Sequence, residues 1–148
     1  MLLVTPAVVA PTVPTNIVVE IEHKPKVEIL TDYQKFTDAM GNRESSNDYT
    51  VVNKFGYMGK YQFGKSTLRT LKIKVTKEAF LNSPDLQEYA MKQNLIYNKN
   101  KLQKYIDKYE GQIVNGILIT ESGILAAAHL GGPGSVKKFF SYLYFQCS

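Results

Sequence analysis

The distribution of proline and glycine constrains this chain more than any other feature. Four of the six prolines (Pro6, Pro11, Pro14 and Pro25) fall in the first 25 residues, while all ten glycines lie at or after Gly41. Proline fixes φ and removes a backbone donor, so a stretch rich in it favours extended chain over packed elements. The chain therefore divides near residue 30, into a tether at 1–30 and a folded domain at 31–142. With 148 residues and 44% hydrophobic side chains, there is material for one core and not for two.

The tether opens on an apolar run, Met1 to Ala10. It lacks the basic start of a secretion signal, Pro6 interrupts it, and it is too short to span a bilayer, so no integral membrane span is expected. Residues Ile17 to Ile21 have the composition of a strand that joins a sheet edge. At the other end, Leu143-Tyr144-Phe145-Gln146 looks like the core of a protease-cleavage tag, which sets 143–148 apart from the domain.

Charge narrows the partners. The chain holds 18 Lys+Arg against 13 Asp+Glu, and the tether contributes two lysines and three glutamates, which leaves 16 cations against 10 acids for residues 31–148. Only Arg43 and Arg69 are arginines, whereas base readout relies on bidentate Arg, so attraction to a polyanion is expected and nucleic-acid recognition is not. Lys99, Lys101, Lys104 and Lys108 form a basic run that reads first as a solvated helix face. A single Cys147 excludes an internal disulfide framework, and no Cys/His cluster has zinc spacing; no metal and no cofactor are expected.

From Thr31 the pattern is mostly helical. Tyr33, Phe36 and Met40 recur at i, i+3 and i+7 behind a Thr31/Asp32 start, which predicts a first helix. Between Asp48 and Gly64 the helical period stops, and Gly56, Gly59 and Gly64 punctuate an aromatic-rich stretch that predicts a small hairpin with loops. Helices resume at Ser66 to Ile73 and again near Ser83, where Ser-Pro-Asp supplies a cap, a first-turn proline and an acid. This long segment runs to Tyr109, with polar residues 98–101 as a candidate break. Thr120 to Leu130 is apolar nearly all round, which predicts a central buried helix stopped by Gly131, and Val136, Phe139, Phe140 and Leu143 give one last stripe. The expected class is α+β, mostly α.

One carboxylate stands out. Four residues beyond Met40, Glu44 falls on the apolar side of the first helix at its end, where desolvation favours the protonated form that a general acid needs. The competing reading is a carboxylate that reaches solvent or pairs with Arg43, and spacing alone leaves both open. The set Glu44-Ser45-Ser46, then Gly59-Lys60-Tyr61-Gln62-Phe63-Gly64, then Leu125-Ala-Ala-Ala-His129-Leu-Gly-Gly-Pro133-Gly134, resembles the motifs of the lysozyme-like superfamily, in its soluble lytic transglycosylase and goose-type lysozyme branch, with phage-type relatives nearest in the middle motif. The resemblance spans roughly residues 31–140. It implies a lysozyme-like helical domain with one small β-hairpin beside the catalytic cleft, Glu44 as catalytic acid, Ser45 as its partner and Gln62 at the family's glutamine. His129 stands where the family has tyrosine, and Leu130 where it has asparagine.

A glycosidase with two carboxylates needs the second within reach of the first. Between Glu44 and Glu78 the only other acid is Asp48, which reads as a turn aspartate, so a single-carboxylate site is favoured. Tyr49, Tyr57, Tyr61 and Phe63 are candidates to border pyranose rings or to fill the core, and Ser46 to cap the helix. The implied activity is cleavage of the MurNAc-GlcNAc β-1,4 bond of peptidoglycan by a lytic transglycosylase, with Ser45, Tyr57, Tyr61, Gln62, Phe63 and His129 on the substrate. A hydrolytic muramidase, chitin cleavage and a non-catalytic glycan-binding module remain open. The expected setting is extracytoplasmic, whether periplasmic, secreted, wall-associated or phage-delivered, with the chain a monomer on glycan strands.

Overall fold

The computed structural model describes residues 31–146; the tether, its candidate edge strand at 17–21 and Cys147 lie outside them. Five helices and one two-stranded antiparallel sheet follow in the order α1 (Asp32–Ser45), α2 (Lys65–Thr70), α3 (Lys77–Leu81), α4 (Pro84–Tyr109), β1 (Ile113–Val114), β2 (Ile117–Leu118) and α5 (Glu121–Gln146). The class is α+β and mostly α. No helix among the described residues is long and apolar enough to cross a membrane.

Local chemistry sets the helix starts. Thr31 caps α1 through a capping box with Gln34, Thr76 caps α3 by accepting from the Ala79 N–H, and Ser83 caps α4 with Pro84 in its first turn. The helix α3 is an addition to the expected set, although Thr76 followed by Glu78 carries its start signal. The candidate break in α4 does not occur. Asn98 turns inward and donates to Asn94 one turn back, so the polar run continues the helix on its buried side.

The hairpin falls in two places. Residues 48–64 form no strand pair; single bridges, Val52 with Met58 and Met58 with Phe63, hold a chain of tight turns. The regular hairpin is β1–β2, in the register Ile113 with Leu118 and Val114 with Ile117. Its turn residues Asn115 and Gly116 both have positive φ, 50° and 78°, which is the backbone that Asn-Gly between apolar pairs favours.

Two apolar clusters meet along α4. Phe63 sits in the first, edge-on to Tyr61, Phe80 and His129, with Met58, Met91 and Leu95 around it. The second stacks Phe140 on Tyr105 and Tyr109 beside Leu102 and Ile106. The arm α5 packs on α4 and breaks at Gly132 (φ 77°, ψ 156°), one residue beyond the expected stop, with Pro133 opening its second half. Its first half is not buried all round: Ile124, Leu125 and Ala128 face inward, but Ala127 and Leu130 are exposed, because α4 covers only one side. Residues 143–146 continue α5, and Leu143 packs on the second cluster.

Candidate functional site

The end of α1 is built around close backbone approaches. Ser46 enters the left-handed region (φ 57°) and closes the helix through its N–H to the Asn42 carbonyl, while Asn47 donates to the Gly41 carbonyl. A Cβ on Gly41 would lie 2.6 Å from Lys60 Cε, so only glycine lets α1 pass this close to the loop. Ser45 Oγ then ties helix to loop, donating to the Lys60 carbonyl at 2.8 Å and accepting from the Asp48 N–H at 3.0 Å. Ser45 thus holds the position of Glu44 and does not itself line the cleft beside it.

The loop reverses in one turn. Met58 and Phe63 exchange both backbone hydrogen bonds around Gly59-Lys60-Tyr61-Gln62, with Gly59 (φ 72°) and Gln62 (φ 50°) left-handed. Gln87, wholly buried on α4, pins this turn: its Oε1 accepts from the Lys60 N–H at 2.8 Å, and its Nε2 donates to the carbonyls of Tyr49 and Phe80, each at 2.9 Å. Lys60 and Tyr61 leave the turn on one side and Gln62 on the other.

The Lys60 side forms a charged network away from the cleft. Lys60 Nζ lies 3.0 Å from both Asp38 and Glu88, and the Tyr61 hydroxyl donates to the second Glu88 oxygen at 2.7 Å, as the Tyr49 hydroxyl does to the first. Burial opposes charge on both ions. The hydrogen bonds outweigh it, holding the Glu88 carboxyl below and the Lys60 ammonium above their ordinary ranges. Burial and the Glu88 bond likewise raise the Tyr61 phenol well above its usual value.

The Gln62 side opens into a cleft of about 610 Å³ between α1, the loop, α2, the middle of α4 and the kink of α5. Glu44, half-buried, is the one carboxylate among the described residues that line it. Gln62 donates to the Gly59 carbonyl at 2.9 Å, and its Oε1 accepts from none of the described groups. Of the aromatic candidates, Tyr57 borders the cleft at 45% exposure. Tyr61 and Phe63 also belong to the lining, but as core rings, at 0% and 2% exposure, with no face open to a sugar; Tyr49 gives its hydroxyl to Glu88 and lies outside the cleft.

His129 forms the wall opposite. Its Nε2 faces the Tyr61 carbonyl at 3.0 Å and its Nδ1 faces the Asn94 amide nitrogen at 2.9 Å. A carbonyl needs a donor and an amide nitrogen an acceptor, so the imidazole is neutral with its proton on Nε2. The Asn94 orientation follows from its Oδ1 accepting from Asn98 at 3.4 Å. Burial pushes the His129 pKa down, against smaller upward pulls from the Tyr61 carbonyl and the Glu44 charge. Both ring nitrogens are engaged, which makes His129 a fixed piece of wall.

Asp48 lies outside the cleft. It accepts from the Thr50 N–H and hydroxyl, each at 2.7 Å, which lowers its pKa and marks a turn aspartate. Sequence reasoning missed Asn53, Asn94, Tyr97 and Asn98 on the lining, together with the α2 hydroxyls of Ser66, Thr67 and Thr70. The signal for two of them was present, since Asn94 and Asn98 interrupt the apolar stripe of α4 with the same spacing that buries its neighbours. No family model, curated protein or solved structure matches the chain.

Proposed function

We propose that this chain is a peptidoglycan-cleaving glycosidase acting on the MurNAc-GlcNAc β-1,4 bond as a lytic transglycosylase, with Glu44 as acid and then base. The observation that carries the reading is the composition of the cleft: a single carboxylate opposite uncharged amides (Gln62, Asn94, Asn98) and tyrosines (Tyr57, Tyr97). Amides match the hydrogen-bonding of acetamido and hydroxyl groups, tyrosines offer flat apolar faces to pyranose rings, and the volume is of ordinary small-ligand size. The resemblance of the Glu44-Ser45, Gln62 and Gly132-Pro133-Gly134 motifs to lytic transglycosylases supports the same substrate.

With one carboxylate, the substrate supplies the second group. Glu44 protonates the leaving glycosidic oxygen while the 2-acetamido oxygen attacks the anomeric carbon; the resulting carboxylate then takes the proton of the sugar's 6-hydroxyl, which displaces the acetamide and closes a 1,6-anhydro ring. Were water deprotonated instead, the product would be a reducing end. Asp48, turned away and already bonded to Thr50, supports the anhydro outcome.

A second reading, a glycan-binding module without chemistry, draws on a different observation: no cation among the described residues pairs with the Glu44 carboxylate. Mass spectrometry of soluble products from purified peptidoglycan separates the readings. Anhydromuropeptides from the unaltered chain and at least about a hundredfold fewer from Glu44→Gln are expected, given the usual size of acid-base assistance. Reducing ends would make it a muramidase, and no products from a chain that still pellets with the wall would make it a binding module.

A further inference from the structure

A second concavity, about 760 Å³, lies on the other side of α2. Five cations line it: Lys65 and Arg69 from α2, Lys72 and Lys74 from the connection to α3, and Lys77 from the start of α3. All five are exposed, none forms an ion pair with a described residue, and no carboxylate lines the cavity. Glu78, next in the chain, is on α3 and outside the lining. Like charges gathered in one concavity repel each other and focus a field that draws in anions.

The backbone is arranged to keep these charges outward. Ile73 and Val75 are half-buried against the first cluster, while Lys72 and Lys74 beside them are exposed. Lys72 occupies the left-handed position that ends α2 (φ 60°), a place where glycine or asparagine is the easier residue. The charges come from three successive segments, which suits a ligand with repeating anionic groups better than one with a single anion. The floor is aliphatic, from Met58, Leu68, Ile73 and Val75, and no aromatic ring lines the cavity to stack a base. With one arginine present, base readout is also disfavoured.

We propose that this cavity binds a phosphodiester polymer that carries no bases, of the polyol-phosphate kind. The cavity shares α2 with the cleft, whose lining takes Ser66, Thr67 and Thr70 from the same helix. Binding does not depend on what the cleft does, and Glu44→Gln is expected to bind the polymer as the unaltered chain does.

The test is titration calorimetry of the full chain with a synthetic glycerol phosphate oligomer, between about 50 and 200 mM salt. Saturable binding is expected, weakened at least tenfold in Lys72→Gln/Lys74→Gln, with the slope of log K against log salt reduced by about 1.4, or roughly 0.7 for each phosphate no longer neutralised. The pair Lys101→Gln/Lys104→Gln, exposed on α4, is expected to change affinity less than twofold. Should the first pair disturb folding, Lys65→Gln/Arg69→Gln reads the same cavity. Equal losses from the α4 pair would reduce the effect to net charge and overturn the proposal. Tighter binding of an oligothymidylate of equal charge would make it a nucleic-acid site, and no saturable binding would remove the site altogether.

Discussion

Replacing Gln87 by Met tests whether its buried amide holds the loop at the cleft. Methionine follows the shape of glutamine and leaves little cavity, so the change isolates the hydrogen bonds. Three are lost, to the Lys60 N–H and to the carbonyls of Tyr49 and Phe80. The Phe80 carbonyl keeps a second partner in the Ser83 N–H, whereas the other two groups have none. Water cannot easily replace the amide, because a Cβ on Gly59 would already collide with Gln87 Oε1. A buried group left unpaired costs ~1–3 kcal/mol, which for two such groups and one weakened carbonyl gives about 4 kcal/mol. For a domain of this size, with a total of ~5–15 kcal/mol, the melting temperature should fall by roughly 12–20 °C. Urea unfolding and thermal circular dichroism measure this directly. Gln103→Met, exposed on the same helix, should stay within about 0.5 kcal/mol. A loss below about 1 kcal/mol in Gln87→Met would refute the assignment of the loop's position to Gln87.

Two more expectations concern the site. His129 has a folded-state pKa depressed by burial, so the unfolded chain takes up its proton first as pH falls; stability present above about pH 6.5 should decline below it until the folded pKa is passed. Unfolding free energies of the parent and His129→Gln, compared between pH 7.5 and 5, should converge toward acid, and parallel curves would count against a buried neutral imidazole. Tyr57→Ala should raise KM for glycan with little change in stability, whereas Tyr61→Phe should cost ~1.5–3 kcal/mol through its lost bond to Glu88 and leave KM unchanged; the reverse pattern in paired kinetics and melts would show the two roles to be misassigned.

Helices with local signals are legible in the sequence. Thr31 with Gln34 and Ser83 with Pro84 act within one turn of chain, so their capping chemistry appears as adjacent letters. The hairpin is harder to place, because the glycine and aromatic residues at 55–64 give a stronger turn signal than Asn115-Gly116, and because Gly59 there serves a close approach to Gln87 that no local pattern encodes. The position of Glu44 at the end of α1 is readable from spacing, whereas Gln62 in the loop is picked out by the motif resemblance and not by spacing. Which face of the loop each residue takes is not. Tyr61 and Gln62 are neighbours in sequence, yet one joins a charged network with Glu88 and the other faces the cleft, a division made by contacts 27 residues apart.

The uninterrupted run of α4 works as a ruler. Over 26 residues, about 39 Å at 1.5 Å each, it carries Gln87 and Glu88 to the loop and the ion network, Asn94, Tyr97 and Asn98 to the cleft floor, and Leu102, Ile106 and Tyr109 to the second cluster. All of these fall on one half of the helix circumference. An inserted residue between Gln87 and Leu102 would turn everything beyond it by about 100°, taking the cleft amides and the second cluster out of register together. Length in this molecule is therefore free to vary at the Asn115-Gly116 tip, where the chain reverses in solvent, and is fixed along the helix that precedes it.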